Sequence, residues 1–147
     1  MGMAVRISRA VLEAIISDAS TTPTVERCGL LLGSADHVTA WLSVANVHPE
    51  PDQHFELDPA TLIAVERAAR QGHGPGVAGH YHSHPKGSAV PSLADAEAAA
   101  PDGRLWLMTA QGECRLWRSV AAMPLANDGT GALWLSRFVE EEIDVTD

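Results

Sequence analysis

The stretch Val77-Ala78-Gly79-His80-Tyr81-His82-Ser83-His84-Pro85 constrains this chain more than any other. Its apolar first half reads as an extended strand. In a strand, alternate side chains point to one face and stand about 6.6 Å apart along the chain. His82 and His84 therefore aim their rings at one point, and His80 shares their face. Pro85 cannot donate to a sheet ladder, so the strand is expected to end there. After a short loop, Ser92 is expected to start a helix, with Asp95 one turn in and pointing back towards the strand end. Two imidazoles and one carboxylate converging this way make a three-ligand metal site. Taken singly, each feature is ordinary: Ser92-Leu93-Ala94-Asp95 is also a capping box, and a lone His-x-His pair is more often a surface feature. It is their combination at this spacing that favours the metal site.

Tetrahedral zinc with three protein ligands keeps a fourth position for water, which is the catalytic arrangement and not the closed structural one. Zinc lowers the pKa of that water to about 7. Hydrolysis also needs a base to take the proton and pass it on. No acid adjoins the histidines, so the base must come from elsewhere. Glu26 is the candidate, because it stands at the start of the very apolar Cys28-Gly29-Leu30-Leu31-Leu32-Gly33 run, where a lone carboxylate wants a reason.

Glu26 with that run, then His-Ser-His-Pro, then Ser92 and Asp95, together resemble the JAMM (MPN+, or JAB) metalloprotease domain family in its compact, stand-alone prokaryotic form. Ten residues separate His84 from Asp95, and seven separate His84 from Ser92. The resemblance spans roughly residues 5 to 120. It implies Zn2+ held by His82, His84 and Asp95, Glu26 as general acid/base, and Ser92 steadying the tetrahedral intermediate. It also implies an architecture like that of the cytidine deaminases, and cleavage of isopeptide or peptide bonds after the C-terminal Gly-Gly of ubiquitin or a ubiquitin-like protein. For the compact members the expected partner is the C-terminal tail of a ubiquitin-like sulfur-carrier protein. His80 departs from the pattern, which has a large aromatic at that position; it is expected to line the site or compete for metal. Two other readings use the same residues: a non-catalytic MPN-type scaffold that binds partners, and a small-molecule zinc amidase.

The remaining sequence fits one α/β domain over residues 1–147, a mixed, curved β-sheet flanked by helices, with the metal cleft at the sheet edge. Ser8 can cap a helix through about Asp18, and Asp58-Pro59 can start another running to Arg70. Strands are expected over Glu26–Gly33 and Val38–Val47, and as a hairpin over Leu105–Ala110 and Glu113–Ser119 across Gln111-Gly112. Ala132–Val139 is expected as a last strand or short helix. Trp41, Trp106, Trp117 and Trp134 are expected in the core, and His37, His48, His54 and His73 in surface loops. Cys28 and Cys114 are too few for a disulfide framework, and Cys28 is expected as a small buried residue ahead of a nucleophile. Lys86, the sole lysine, either meets an acidic substrate or is solvated.

Charge excludes one partner class. The net charge of -9 includes five acids between Glu140 and Asp147 with no base, which leave -4 for the rest. Nucleic-acid binding would need a clustered basic patch. The acidic segment, about 140–147, is expected to be a solvated tail. No apolar run approaches the length of a membrane span, and the first residues do not read as a signal peptide. A cytoplasmic protein is therefore expected.

Overall fold

The computed structural model describes residues 4–121 and 138–147. Among these, the chain runs β1 (Val5–Ser8), α1 (Arg9–Ser20), β2 (Cys28–Ser34), β3 (His37–Val44), α2 (Pro59–Arg70), β4 (Val77–Ser83), α3 (Leu93–Ala98), β5 (Leu105–Ala110), β6 (Glu113–Ser119), β7 (Phe138–Glu141) and β8 (Ile143–Thr146). The strands make one mixed sheet in the order β7-β6-β5-β4-β2-β3-β1-β8. β4 pairs antiparallel with β2 and parallel with β5. β5 and β6 form the expected hairpin, and its turn has positive φ at both Gln111 (52°) and Gly112 (80°), as a type I′ turn requires.

The sheet is curled. β7 and β8 are separated only by Glu142, yet they stand at opposite ends of the strand order. A chain can make that step only if the two sheet edges come together. Arg118 on β6 ties the β7 side of the sheet to the β2–β3 turn. Its guanidinium donates to the Glu141 carboxylate at 2.8 Å and to the Ala35 carbonyl, in the β2–β3 turn, at 2.9 Å.

Both faces of the central strands are largely buried, which is why β2 and β5 are mostly apolar. β5 divides its side chains between two clusters. Leu105 and Leu107 join Leu31, Tyr81 and Leu116 beneath α1, whose Val11 and Ile15 face them. Trp106, Met108 and Ala110 join Phe138, Ala96 of α3 and Ala99 just after it on the other face. Ser8 caps α1 as expected, accepting the Val11 N–H at 3.2 Å. Phe55 and Trp117 pack against the second cluster, and Trp41 against the first. No described helix is long and apolar enough to cross a membrane.

Several expectations need correction. β4 lies between β2 and β5, so the histidines stand at the end of an interior strand and not at the lateral edge of the sheet. A strand buried on both faces belongs in the interior. β2 starts at Cys28, two residues after Glu26, and β3 stops at Val44, before Asn46 turns its side chain to the neighbouring loop. His37 is the first residue of β3 rather than a loop residue. The acidic C-terminal segment is not a free tail: Glu140 and Glu141 lie in β7, paired with Arg115 and Arg118, and β8 pairs with β1. Its charges stay outside while its backbone completes the sheet. Trp134 and residues 132–137 of the expected last element fall outside the described residues.

Gly79 makes β4 and β5 a close pair. A Cβ there would lie 1.9 Å from the Leu105 carbonyl oxygen, a backbone atom that cannot step aside. Gly79→Ala is expected to cost about 1–3 kcal/mol or more, as overpacking does, seen as a lower denaturation midpoint. An unchanged midpoint would contradict the close pairing.

Candidate metal centre

The site forms where β4 runs out. His82 is fully buried at the end of the strand, and His84 lies just beyond it. The His84 N–H still reaches the Thr109 carbonyl at 2.9 Å, so the backbone stays in line for one more pairing before Pro85 ends it. Both rings therefore point the same way, and their Nε2 atoms lie 3.0 Å apart.

The third arm comes from α3. Ser92 caps this helix, with its Oγ accepting the Asp95 N–H at 3.1 Å while Asp95 Oδ2 accepts the Ser92 N–H at 2.8 Å. The box fixes the Asp95 rotamer. Its Oδ1 then stands 3.1 Å from His82 Nε2 and its Oδ2 3.2 Å from His84 Nε2. The alanine face of α3 seats against Trp106 and Met108, which brings the short helix close enough for this reach.

The donor set fits a metal ion. One ligand atom from each of His82, His84 and Asp95 lies within 4.8 Å of the others. Ligands held about 2.0–2.1 Å from tetrahedral zinc stand about 3.3 Å from one another, close to the 3.0–3.2 Å separations here. The His84 tautomer fits too. His84 Nδ1 donates to the Ser88 carbonyl at 2.7 Å, so a neutral ring leaves Nε2 free to coordinate. Asp95 supplies the charge. Burial works against its ionisation, but His82, His84 and the Ser92 N–H outweigh it and hold the carboxyl well below the usual range. Burial holds the His82 imidazole below its ordinary value. It opposes charge on His84 as well, but there the bonds to Asp95 and Ser88 prevail and raise the ring's pKa. The pocket thus favours a positive partner for Asp95.

Glu26 is buried, with 7% of its surface exposed, and its Oε1 has no hydrogen-bond partner. Burial, helped by the charges of Asp95 and Asp52 and opposed by His84, pushes its pKa from 4.5 up to about 7. Its backbone is pinned on both sides. The Glu26 N–H donates to the Pro51 carbonyl at 2.7 Å, and Asn46 Nδ2 donates to the Glu26 carbonyl at 2.8 Å. The next residue, Arg27, exchanges bonds with Ser83 at the end of β4. Among the described residues no hydrogen bond joins Glu26 to the triad; its link to His84 and Asp95 is electrostatic. Cys28 is buried, and burial lifts its thiol to about 12, so it is no thiolate nucleophile. Lys86 is exposed, and His80 packs against Trp106 with ring centres 4.3 Å apart.

Two residues escaped the sequence reading. Phe55 stacks on the His82 ring at 4.3 Å with a 17° tilt, roofing the site. Asn46 makes four hydrogen bonds, donating to Glu26 and His54 carbonyls and accepting the His48 and Glu56 N–H groups. It thereby ties the loop that carries Phe55 to the segment that carries Glu26. An Asn after a strand reads as turn punctuation, and nothing in its spacing distinguishes it. Two cavities adjoin the triad. One of about 390 Å³ borders His84, between Ile16, Val25 and Thr109; one of about 130 Å³ borders Asp95, between His54, Phe55, Ala94 and Ala98.

Known proteins resemble the chain along most of its length. The family model described as prokaryotic homologs of the JAB domain matches residues 8–120. The desampylase of Haloferax volcanii is 39% identical over 92 residues, covering 61% of this chain and 66% of that protein. A probable TtuB-protein conjugate cleaving protease of Thermus thermophilus is 32% identical over 98 residues, covering 67% and 65%. The match therefore spans just under two thirds of each relative. A solution structure from Desulfitobacterium hafniense, 24% identical, superposes with a TM-score of 0.74 over 97% of this chain and 93% of that one, a likeness of fold.

A raised carboxylate pKa has a stability cost of fixed sign. The contribution of protonated Glu26 is complete below its unfolded pKa of 4.5 and is lost as pH rises through about 7. Metal-free Glu26→Gln is therefore expected to gain stability over the metal-free parent between pH 5 and pH 8. Thermal melts at the two pH values test this, and a pH-independent difference would contradict the buried carboxylate.

Proposed function

Because the chain belongs to the prokaryotic JAB-domain family, we propose that it is a zinc-dependent amide hydrolase acting at the C-terminus of a ubiquitin-like protein. The observation that carries this reading is the meeting of His82, His84 and Asp95 beside a buried carboxylate whose pKa is pushed up to about 7. A zinc ion held by those three residues would supply a Lewis acid and lower the pKa of water to about 7. Glu26 is placed to accept a proton from an attacking water and to return it to the leaving amine, a task suited to a carboxylate titrating near neutrality. Ser92 accepts the Asp95 N–H through its Oγ, which leaves its own O–H free to donate to the developing oxyanion. Phe55 and the pinned 46–57 loop keep solvent off the buried side of His82.

The names of the two relatives, a desampylase and a TtuB-conjugate cleaving protease, support a ubiquitin-like partner. We assign the finer class to ubiquitin-like sulfur carriers. α3 ends at Ala98 and β5 begins at Leu105, so among the described residues no inserted loop follows the site helix to grip a folded ubiquitin. The cavities on either side of the triad leave space for an extended tail on one side and its leaving group on the other. The scaffold alternative is weaker because no member of the ligand set is missing, and the small-molecule alternative because the site lies between two openings.

Zinc-loaded Glu26→Gln is expected to retain one zinc per chain and lose cleavage of a Gly-Gly-linked conjugate; turnover at the parent rate would remove Glu26 from the mechanism. Ser92→Ala is expected to lower kcat by roughly 10²–10³ with little change in KM, as loss of an oxyanion donor does. A change confined to KM would assign Ser92 to capping and binding alone.

A further inference from the structure

Behind Phe55, on the same face as the triad, lies a third cavity of about 230 Å³, walled by Leu30, Leu57, Leu62, Val77, His80 and Trp106. It is not separate from the metal centre. Ala98 borders both this cavity and the smaller one at Asp95. Phe55 packs against His82 on one side and, with ring centres 5.4 Å apart, against His80 on the other. We propose that this cavity is the subsite for the third residue of the substrate tail, counted back from the scissile carbonyl, and that His80 selects a neutral, hydroxyl-bearing side chain there. The inference rests on the amide-hydrolase reading and deepens it.

The position follows from strand geometry. His80 and His82 are two residues apart on β4, about 6.6 Å along the strand. A tail lying extended across this face, over His82 and His80, has the same repeat. With its first residue at the triad, its third residue reaches the level of His80 with its side chain on the same face. The first two residues pass the cavity of about 130 Å³ between Ala94, Ala98 and Phe55.

The chemistry follows from the walls. Most are aliphatic or aromatic. The charged groups at the rim already face one another: Arg104 pairs with Glu66 at 2.9 Å and stands 3.9 Å from Asp102. A charged tail residue would lose its hydration there and find no free counter-charge. The exception in the apolar wall is His80. Its Nδ1 is buried without a partner, and neither ring nitrogen is hydrogen-bonded among the described residues. An unpaired buried polar group is costly and rare. A neutral imidazole carries one donor and one acceptor, so a hydroxyl can pair with it in either sense. A threonine side chain offers a hydroxyl to His80 and a methyl to Leu57 and Leu62. Valine has the same shape without the hydroxyl, and arginine brings the excluded charge.

The test uses fluorescent tail peptides ending X-Gly-Gly, joined by an isopeptide bond to lysine, with X as threonine, valine or arginine. Binding to zinc-loaded Glu26→Gln is measured by anisotropy, and cleavage is measured with the parent enzyme. Threonine is expected to bind roughly three- to tenfold more tightly than valine, the worth of one hydrogen bond, and arginine more weakly than either. Adding His80→Phe to Glu26→Gln is expected to erase the threonine-over-valine preference while zinc content stays at one per chain. Equal binding of threonine and valine overturns the inference whether or not the His80 variant folds, as does a preference that survives in that variant. Cleavage of all peptides without preference removes the subsite and leaves the hydrolase reading standing. Cleavage of none removes both.

Discussion

The carboxylate of Asp95 carries more of this site than any other group. It closes the capping box of α3, so it fixes where that helix begins. It also faces both histidines of the β4 end. A single carboxylate serves both duties because its two oxygens divide the work: Oδ1 faces His82 alone, while Oδ2 takes the Ser92 N–H and faces His84. The cap orients the carboxylate towards the two imidazoles. The helix is only six residues long, too short to be stable by itself. Its alanines, packed on Trp106 and Met108, and its charged contact with the strand hold it in position.

The rest of the architecture serves that meeting. β4 must lie in the middle of the sheet so that β2, with Glu26 just ahead of it, and β5, with Trp106 and Met108, can flank it. The sheet must curl so that β7 brings Phe138 under α3 and the seam can close through Arg118. Glu26 lies outside the ladder but is tied to it through Asn46, Pro51 and the Arg27–Ser83 exchange. Burial without a partner would ordinarily count against a carboxylate. Here it raises the pKa into the range where proton transfer is useful, a pattern common at catalytic sites.

Much of this was legible in the sequence for local reasons. The histidine pair, the proline stop, the Ser-x-x-Asp box and the Gln-Gly turn each follow from rules spanning a few residues. The apolar run after Glu26 announced an interior strand, and the family resemblance joined distant pieces. Legibility failed where a residue's role depends on tertiary partners. Asn46 looks like any turn asparagine until its four bonds are seen. Phe55 is a lone aromatic in a polar loop. The acidic C-terminal segment resembles a solvated tail, because its strands expose their charged side chains and what the sheet uses is their backbone. Strand order, which moved the site from the sheet edge to its centre, is a property of long-range pairing that side-chain periodicity does not carry.

Which atoms a metal meets decides whether this cluster is a metal centre. Zinc K-edge X-ray absorption on the stoichiometric zinc form tests this most directly. Two imidazole nitrogens and a carboxylate oxygen at about 2.0–2.2 Å are predicted. A sulfur shell near 2.3 Å, which would bring in a cysteine, or a spectrum unchanged by removing both His82 and His84, would contradict it.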